Sequence, residues 1–278
     1  MTTAYPQLAA MNIIHSFYPL EEFLASSEAA GYRHVELWTG PMHFFLSAYG
    51  HDPLDKLRAG LARHGLTLVG LCPEQNNPKP HNIAAREPRA QMRTHAYFCN
   101  AIEVAAELDA PQVVVTPGWA YLDEPRKDAW ERSVEMLRAL AEQAAHRGVR
   151  LVIEALQPEE SVIANTATDL ARLLDEVASP ALLVCLDTGA MERAGETIEG
   201  SFAELGDRIV HCHFTDYGNI SHMAWGDGHR SMKADLDALA ACGYVGICSV
   251  ETYNERYLAD PAQADARTMA IYRQATGR

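Results

Sequence analysis

Four apolar runs in this chain each reach a side chain that can hold a metal ion or move a proton: "RLVIE" ends on Glu154, "ALLVCLD" on Asp187, "RIVHCH" on His213 and "GICSVE" on Glu251. Burying a lone ionised carboxylate is costly unless it is neutralised, paired or bound to a cation. One such residue is more often structural than functional. Four on consecutive runs point to a shared cavity, where three carboxylates and an imidazole would repel one another without a counter-charge. A divalent cation is the simplest way to satisfy them. Oxygen-rich ligation with one nitrogen suits Mn²⁺ first and Mg²⁺ or Co²⁺ next, rather than a closed structural zinc site.

The elements that must position these residues recur along the whole chain. Eight β-like runs are visible: "LAAMNI", "HVELW", "LTLVGL", "QVVVTP", "RLVIEAL", "ALLVCLD", "RIVHCHF" and "GICSVET". Helical periodicity separates them over 53–64, 89–108, 127–146, 168–177, 232–241 and 262–275. Gly65 and Gly148 mark helix ends, and Asp169 and Asp235 fall in first turns, where a carboxylate suits the helix dipole. The weakest unit is "ERAGETIEGSFAELG", with a short, poorly defined helix. Runs rich in Val, Ile and Leu with little alternation suit a parallel sheet buried on both faces. Eight strand–helix units in 278 residues predict an α/β fold, a (β/α)8 TIM barrel, over a doubly wound sheet, and no GxGxxG follows the first strand. With no linker or charge block, one domain over 1–278 is expected. In a barrel the strand ends carrying Glu154, Asp187, His213 and Glu251 meet at the catalytic face.

Composition narrows the function classes. A net charge of −14, from 37 acidic and 23 basic residues, opposes nucleic-acid binding. Six cysteines without a CxxC pair argue against a disulfide framework. No apolar run is long enough to span a bilayer and the first residues do not read as a leader, so a soluble cytoplasmic protein is expected, with no membrane partner.

Several other residues stand near the expected site. Glu36 is read as ending the second strand in "HVELW" and facing the same end, for substrate contact or for an ion pair. His211 lies two residues before His213, on the same side and one layer deeper, where a packed core histidine is expected. His222 falls in the long segment 216–230, a length typical of binding loops, and is a candidate substrate contact. The glycines of "GDG" at 226–228 are read as turn geometry. Trp38, the aromatic group 43–45, Trp119, Tyr121 and Trp225 crowd the loops, as sugar-stacking walls or as an oligomer interface. Trp38 and Trp119 are assigned to the pocket, and 43–45 to an interface between copies.

The segments "HVELW", "PEQN", "IEALQPEES", "CLDTG", "HCHFTD", "GDG" and "SVET" together resemble the sugar isomerase and epimerase family of xylose isomerase-like TIM barrels, especially its ketose 3-epimerases. The resemblance covers essentially the full chain. It implies one divalent metal on Glu154, Asp187, His213 and Glu251, acid–base work by the two glutamates, and a substrate-positioning role for Glu160, six positions beyond the first ligand. It also implies a homo-oligomer. Two positions depart from the tagatose-type pattern: Ala190 replaces a substrate-binding histidine, and Asn219 an arginine. A free ketohexose is therefore not the expected substrate. Apurinic-site endonucleases share the barrel but need an Asp-x-His after strand seven, which Ile220-Ser221-His222 lacks.

Inverting a carbinol beside a ketone requires a proton to leave one face of an enediolate and return to the other, which suits two carboxylates on separate strands. Together with this chemistry, the resemblance implies epimerisation of a ketose or fructosyl-amine at C3 as the expected reaction. An aldose–ketose isomerase and a 3-oxo-glycoside lyase would use the same ligands. A non-catalytic sugar-binding protein is the alternative of a different class, opposed by the survival of all four ligands.

Overall fold

The apolar runs form eight strands: β1 (Gln7–Met11), β2 (His34–Trp38), β3 (Thr67–Cys72), β4 (Gln112–Val115), β5 (Arg150–Ile153), β6 (Leu182–Asp187), β7 (Ile209–His213) and β8 (Ile247–Val250). Each pairs in parallel with its sequence neighbours, and β8 closes on β1, giving a closed barrel. This computed structural model describes residues 5–75 and 80–278. Asn76 of the "PEQN" segment lies outside the described residues.

Helices α1 (Leu20–Ala30), α2 (Leu54–Arg63), α3 (Pro88–Glu107), α4 (Arg126–Arg147), α5 (Ala167–Val177), α6 (Thr188–Arg193), α7 (Ile198–Leu205), α8 (Met232–Ala241) and α9 (Pro261–Thr276) lie between the strands and after β8. The six helices expected from periodicity are present to within a residue at either end. The first, α1, is absent from that list, although Phe23, Leu24, Ser27 and Ala30 form a buried helical stripe and Gly31, at φ 96°, ends it in the left-handed conformation. The weak sixth unit resolves into two short helices. Asp187 caps α6 by accepting from the amides of Gly189 and Ala190, and Thr197 caps α7 by accepting from Gly200.

The main core lies between barrel and helices and includes Leu71, Val113, Val115, Leu151, Ile153 and Val184 against Phe98, Ile102, Leu137 and Leu173, all buried. A smaller cluster, Met11, Ile13, Cys72, Val114, Val152 and Cys185, fills the barrel interior. Such filling makes the barrel a packed core rather than a pore. All six cysteines are free, and among the described residues no helix is long and apolar enough to cross a membrane.

Candidate active site

Side chains two apart on a strand share a side. On β7 this stacks His211 beneath His213; on the neighbouring strands Cys185 lies beneath Asp187, Val152 beneath Glu154 and Ser249 beneath Glu251. The register pairs Asp187 with His213, and His213 with Ser249, so Glu251 stands two residues above the level of His213 and Asp187. Asp187 and His213 close β6 and β7, while Glu154 and Glu251 stand one residue beyond β5 and β8. The Glu154 amide still donates to the Val115 carbonyl of β4, so the ladder holds its backbone at the strand end.

One ligand atom from each of Glu154, Asp187, His213 and Glu251 lies within 4.8 Å of the others. His213 Nδ1 is 2.8 Å from Glu154 Oε2 and 2.9 Å from Glu251 Oε2. Neither contact is aligned as a hydrogen bond, and both Nδ1 and Glu154 Oε2 are buried without a hydrogen-bond partner. Burial, helped by neighbouring Glu251 and Asp187 against the pull of His213, pushes the Glu154 carboxyl up to about 7. Burial also opposes charge on Glu251, yet His213 and His222 hold it well below the usual carboxylate range. Orphaned buried donor atoms, three carboxylates and one imidazole nitrogen suit a single divalent cation of oxygen preference.

The other expected residues divide. His222 reaches this centre, with Nε2 3.2 Å from Asp187 Oδ2 and 3.3 Å from Glu251 Oε2. It sits in the left-handed region at φ 58°, which a non-glycine residue adopts at a cost. Glu160 accepts from the amide of Gln157, and burial raises its carboxyl pKa. Trp119 is half-buried, edge-on to Tyr121, with its indole nitrogen unpartnered. Trp38 is half-buried against the interior cluster, its ring over Gly40, where a Cβ would lie 1.9 Å away.

Three expectations need correction. Glu36 does not end its strand, since β2 continues to Trp38; it is fully buried and bonded to His211, His213 and Ser249, so of its two readings the ion pair is the one observed. His43 and Phe44 are buried within the chain, the histidine held by Asn12 and by the Tyr18 carbonyl, so only Phe45 of that group is exposed for an interface. Trp225 is 1% exposed, packs on Phe214 and donates to its carbonyl, so it lines no pocket.

Polar residues missed in the sequence build the walls. Asn12 grips Trp38 by both its amide and its carbonyl. Gln75 bridges β3 and β4 by donating to the Val114 carbonyl and accepting from the Thr116 amide, and Asn82 does the same to both backbone groups of Trp119. Asp216 organises the loop after β7: its carboxylate accepts from the amides of Tyr217, Gly226, Gly228 and Arg230 at 2.8–3.0 Å. The "GDG" glycines serve this closure, as a Cβ on Gly228 would lie 2.3 Å from Asp216 Oδ1. Hydrogen bonds to a charged group are worth about 1.5–3 kcal/mol each, with poor additivity. Asp216→Ala is accordingly expected to cost at least about 2 kcal/mol in urea unfolding, and Gly228→Ala to destabilise by the same route. Wild-type stability in both variants would refute this role.

A cavity of about 1040 Å³ also opens at the opposite, N-terminal end, where His34, Gln112, Arg150 and His211 line it. Strands of an α/β barrel present chemistry at their C-terminal ends, and that is where the carboxylates meet, so the site is placed there despite the size of the other cavity.

A closed (β/α)8 barrel with an oxygen-rich centre at the carboxyl ends of β5 to β8 defines the class. The chain belongs to the xylose isomerase-like TIM barrel family, whose model matches residues 24–274. It is 27% identical over 239 residues to fructoselysine 3-epimerase of Escherichia coli O157:H7, covering 85% of this chain and 86% of that protein. Its fold is shared with a solved L-ribulose 3-epimerase, at TM-score 0.82, 19% identity and coverage of 98% and 95% of the two chains. A solved 3-keto-D-glucoside 4-epimerase from E. coli shares it at TM-score 0.80 and 18% identity, with coverage of 97% and 99%.

Proposed function

We propose that the protein epimerises a substituted ketose, such as a fructosyl-amine, at the carbinol beside the ketone, with one divalent cation, Mn²⁺ by preference, on Glu154, Asp187, His213 and Glu251. The observation that carries this reading is the meeting of these four ligand atoms within 4.8 Å, with Glu154 Oε2 and His213 Nδ1 buried and unpartnered. When bound, the cation would polarise the ketone and offset negative charge on the enediolate. Glu154 and Glu251 stand three strands apart around the ring, so they approach a bound sugar from separate directions. One carboxylate removes the α-proton, and the other, in its acid form, returns a proton to the opposite face. His222 Nε2, beside Asp187 and Glu251, is placed to donate to a sugar hydroxyl, and Glu160 to receive one. Trp119 and Trp38 supply the apolar wall that excludes water. A homo-oligomer, with Phe45 at its interface, completes the reading.

Enolisation of a 3-oxo-glycoside would use the same groups. The pair of half-buried Trp119 and exposed Tyr121, which could stack on a ring substituent, favours this second reading. Incubating the Mn²⁺-loaded protein in D₂O with ketoses, fructosyl-amines and 3-oxo-glycosides separates the outcomes. Deuterium with inversion marks an epimerase, deuterium with carbonyl migration an isomerase, and aglycone release a lyase. Absence of exchange on every member would sink the catalytic reading.

The panel also tests size selectivity. Ala190 is buried in the first turn of α6 and brings no polar group, and Asn219 is exposed on the loop after β7. A fructosyl-amine or glycoside should therefore show a higher kcat/KM than fructose or psicose; psicose as the best substrate would overturn this expectation.

A further inference from the structure

Glu36 has no part in the proton transfers above, yet it is the most completely enclosed carboxylate near them. It sits mid-strand on β2, fully buried, with Met11 of β1 as its register partner. Leaving such a group ionised requires donors, and it has three. Ser249 Oγ and His211 Nε2 both donate to Oε2, and His213 Nε2 lies 3.1 Å from Oε1.

The division of donors matters. With Oε2 occupied by Ser249 and His211, Oε1 is left to His213. An imidazole that donates Nε2–H keeps its lone pair on Nδ1, the atom that faces Glu154 and Glu251. A histidine protonated on Nδ1 instead would present a proton to the ligand centre and could not coordinate. Metal-binding histidines generally pass their second ring nitrogen to a carboxylate or carbonyl, which fixes both tautomer and ring orientation.

We infer that Glu36, braced by His211 and Ser249, is a positioning residue that fixes His213 as the Nε2–H tautomer and so sets the chain's affinity for its divalent cation. This rests on the metal reading above. It assigns work to three residues one layer beneath the ligands, none of which touches substrate.

The test uses the full-length chain. With ¹⁵N-labelled histidine and Mg²⁺ or Zn²⁺ bound, NMR should show a slowly exchanging proton on His213 Nε2, assigned by its loss in His213→Gln. Glu36→Leu, checked for folding without metal by circular dichroism and Tm, should bind Mn²⁺ about 10–100-fold more weakly, as loss of such supporting carboxylates does elsewhere. Glu36→Asp, a shorter carboxylate, should fall between, and provides the comparison if the leucine variant does not fold. Ser249→Ala removes one brace but keeps the carboxylate on His213, so its loss of affinity should be smaller than that of Glu36→Leu. A proton on Nδ1, or wild-type affinity in folded Glu36→Leu, overturns the inference while leaving the metal reading intact. Failure of the wild-type chain to bind any divalent cation overturns both.

Discussion

His213→Ala should lose bound metal and turnover together. It removes the one nitrogen donor from a set whose four ligand atoms lie within 4.8 Å, and leaves Glu154, Asp187 and Glu251 facing one another in a buried space. Polarisation of a carbonyl by a metal is worth several kcal/mol, so kcat/KM should drop by roughly 10³ or more. The measurement is metal content after dialysis, paired with rates on the best substrate of the panel. Glu154→Ala, Asp187→Ala and Glu251→Ala should lower stoichiometry too; full occupancy in all four variants would remove the assignment.

The second large effect separates the two glutamates. Glu154→Gln and Glu251→Gln each keep an oxygen donor and similar shape while deleting a base, so inversion should slow by about 10²–10⁴ even where metal is retained. With one epimer in D₂O, the variant retaining the correctly facing carboxylate should exchange the α-proton without inverting, and the other should not exchange it. Starting from the opposite epimer should swap the two variants. Metal-replete variants that both invert at near wild-type rates would show that neither carboxylate is an obligatory base.

Much of the barrel was legible because parallel strands buried on both faces write themselves as Val, Ile and Leu runs, and because a carboxylate closing such a run breaks the pattern. Glu154, Asp187, His213 and Glu251 could be picked out on that ground, and the structure gathers them. Glu36 breaks the same pattern, but its depth depends on register and on where β2 stops. The two residues after it, Leu37 and Trp38, continue the strand and were the available sign that it lies below the rim. His43 and Phe44 turn inward because Asn12 and the Tyr18 carbonyl capture the histidine, a contact between segments that no local pattern encodes. Asp216 was equally hidden, since its four partners are backbone amides up to fourteen residues away. Only the glycines at 226 and 228 hinted at a close approach.

The way Asp216 ties its loop has a consequence for how this pocket can change. The carboxylate fixes Tyr217 on one side and Gly226, Gly228 and Arg230 on the other, and the bridge between Asp216 and Met223 closes the base. Residues 218–222 hang from that clasp, and they include Asn219, Ser221 and His222, two of which reach inward: Ser221 to Gln157, and His222 to Asp187 and Glu251. Closing a flexible loop grows costlier only slowly with length, so a clasped segment can be lengthened or rewritten without loosening the strands on either side. Exchanging residues other than His222 in this five-residue segment is therefore expected to change what faces the ligand centre while the barrel beneath remains as it is.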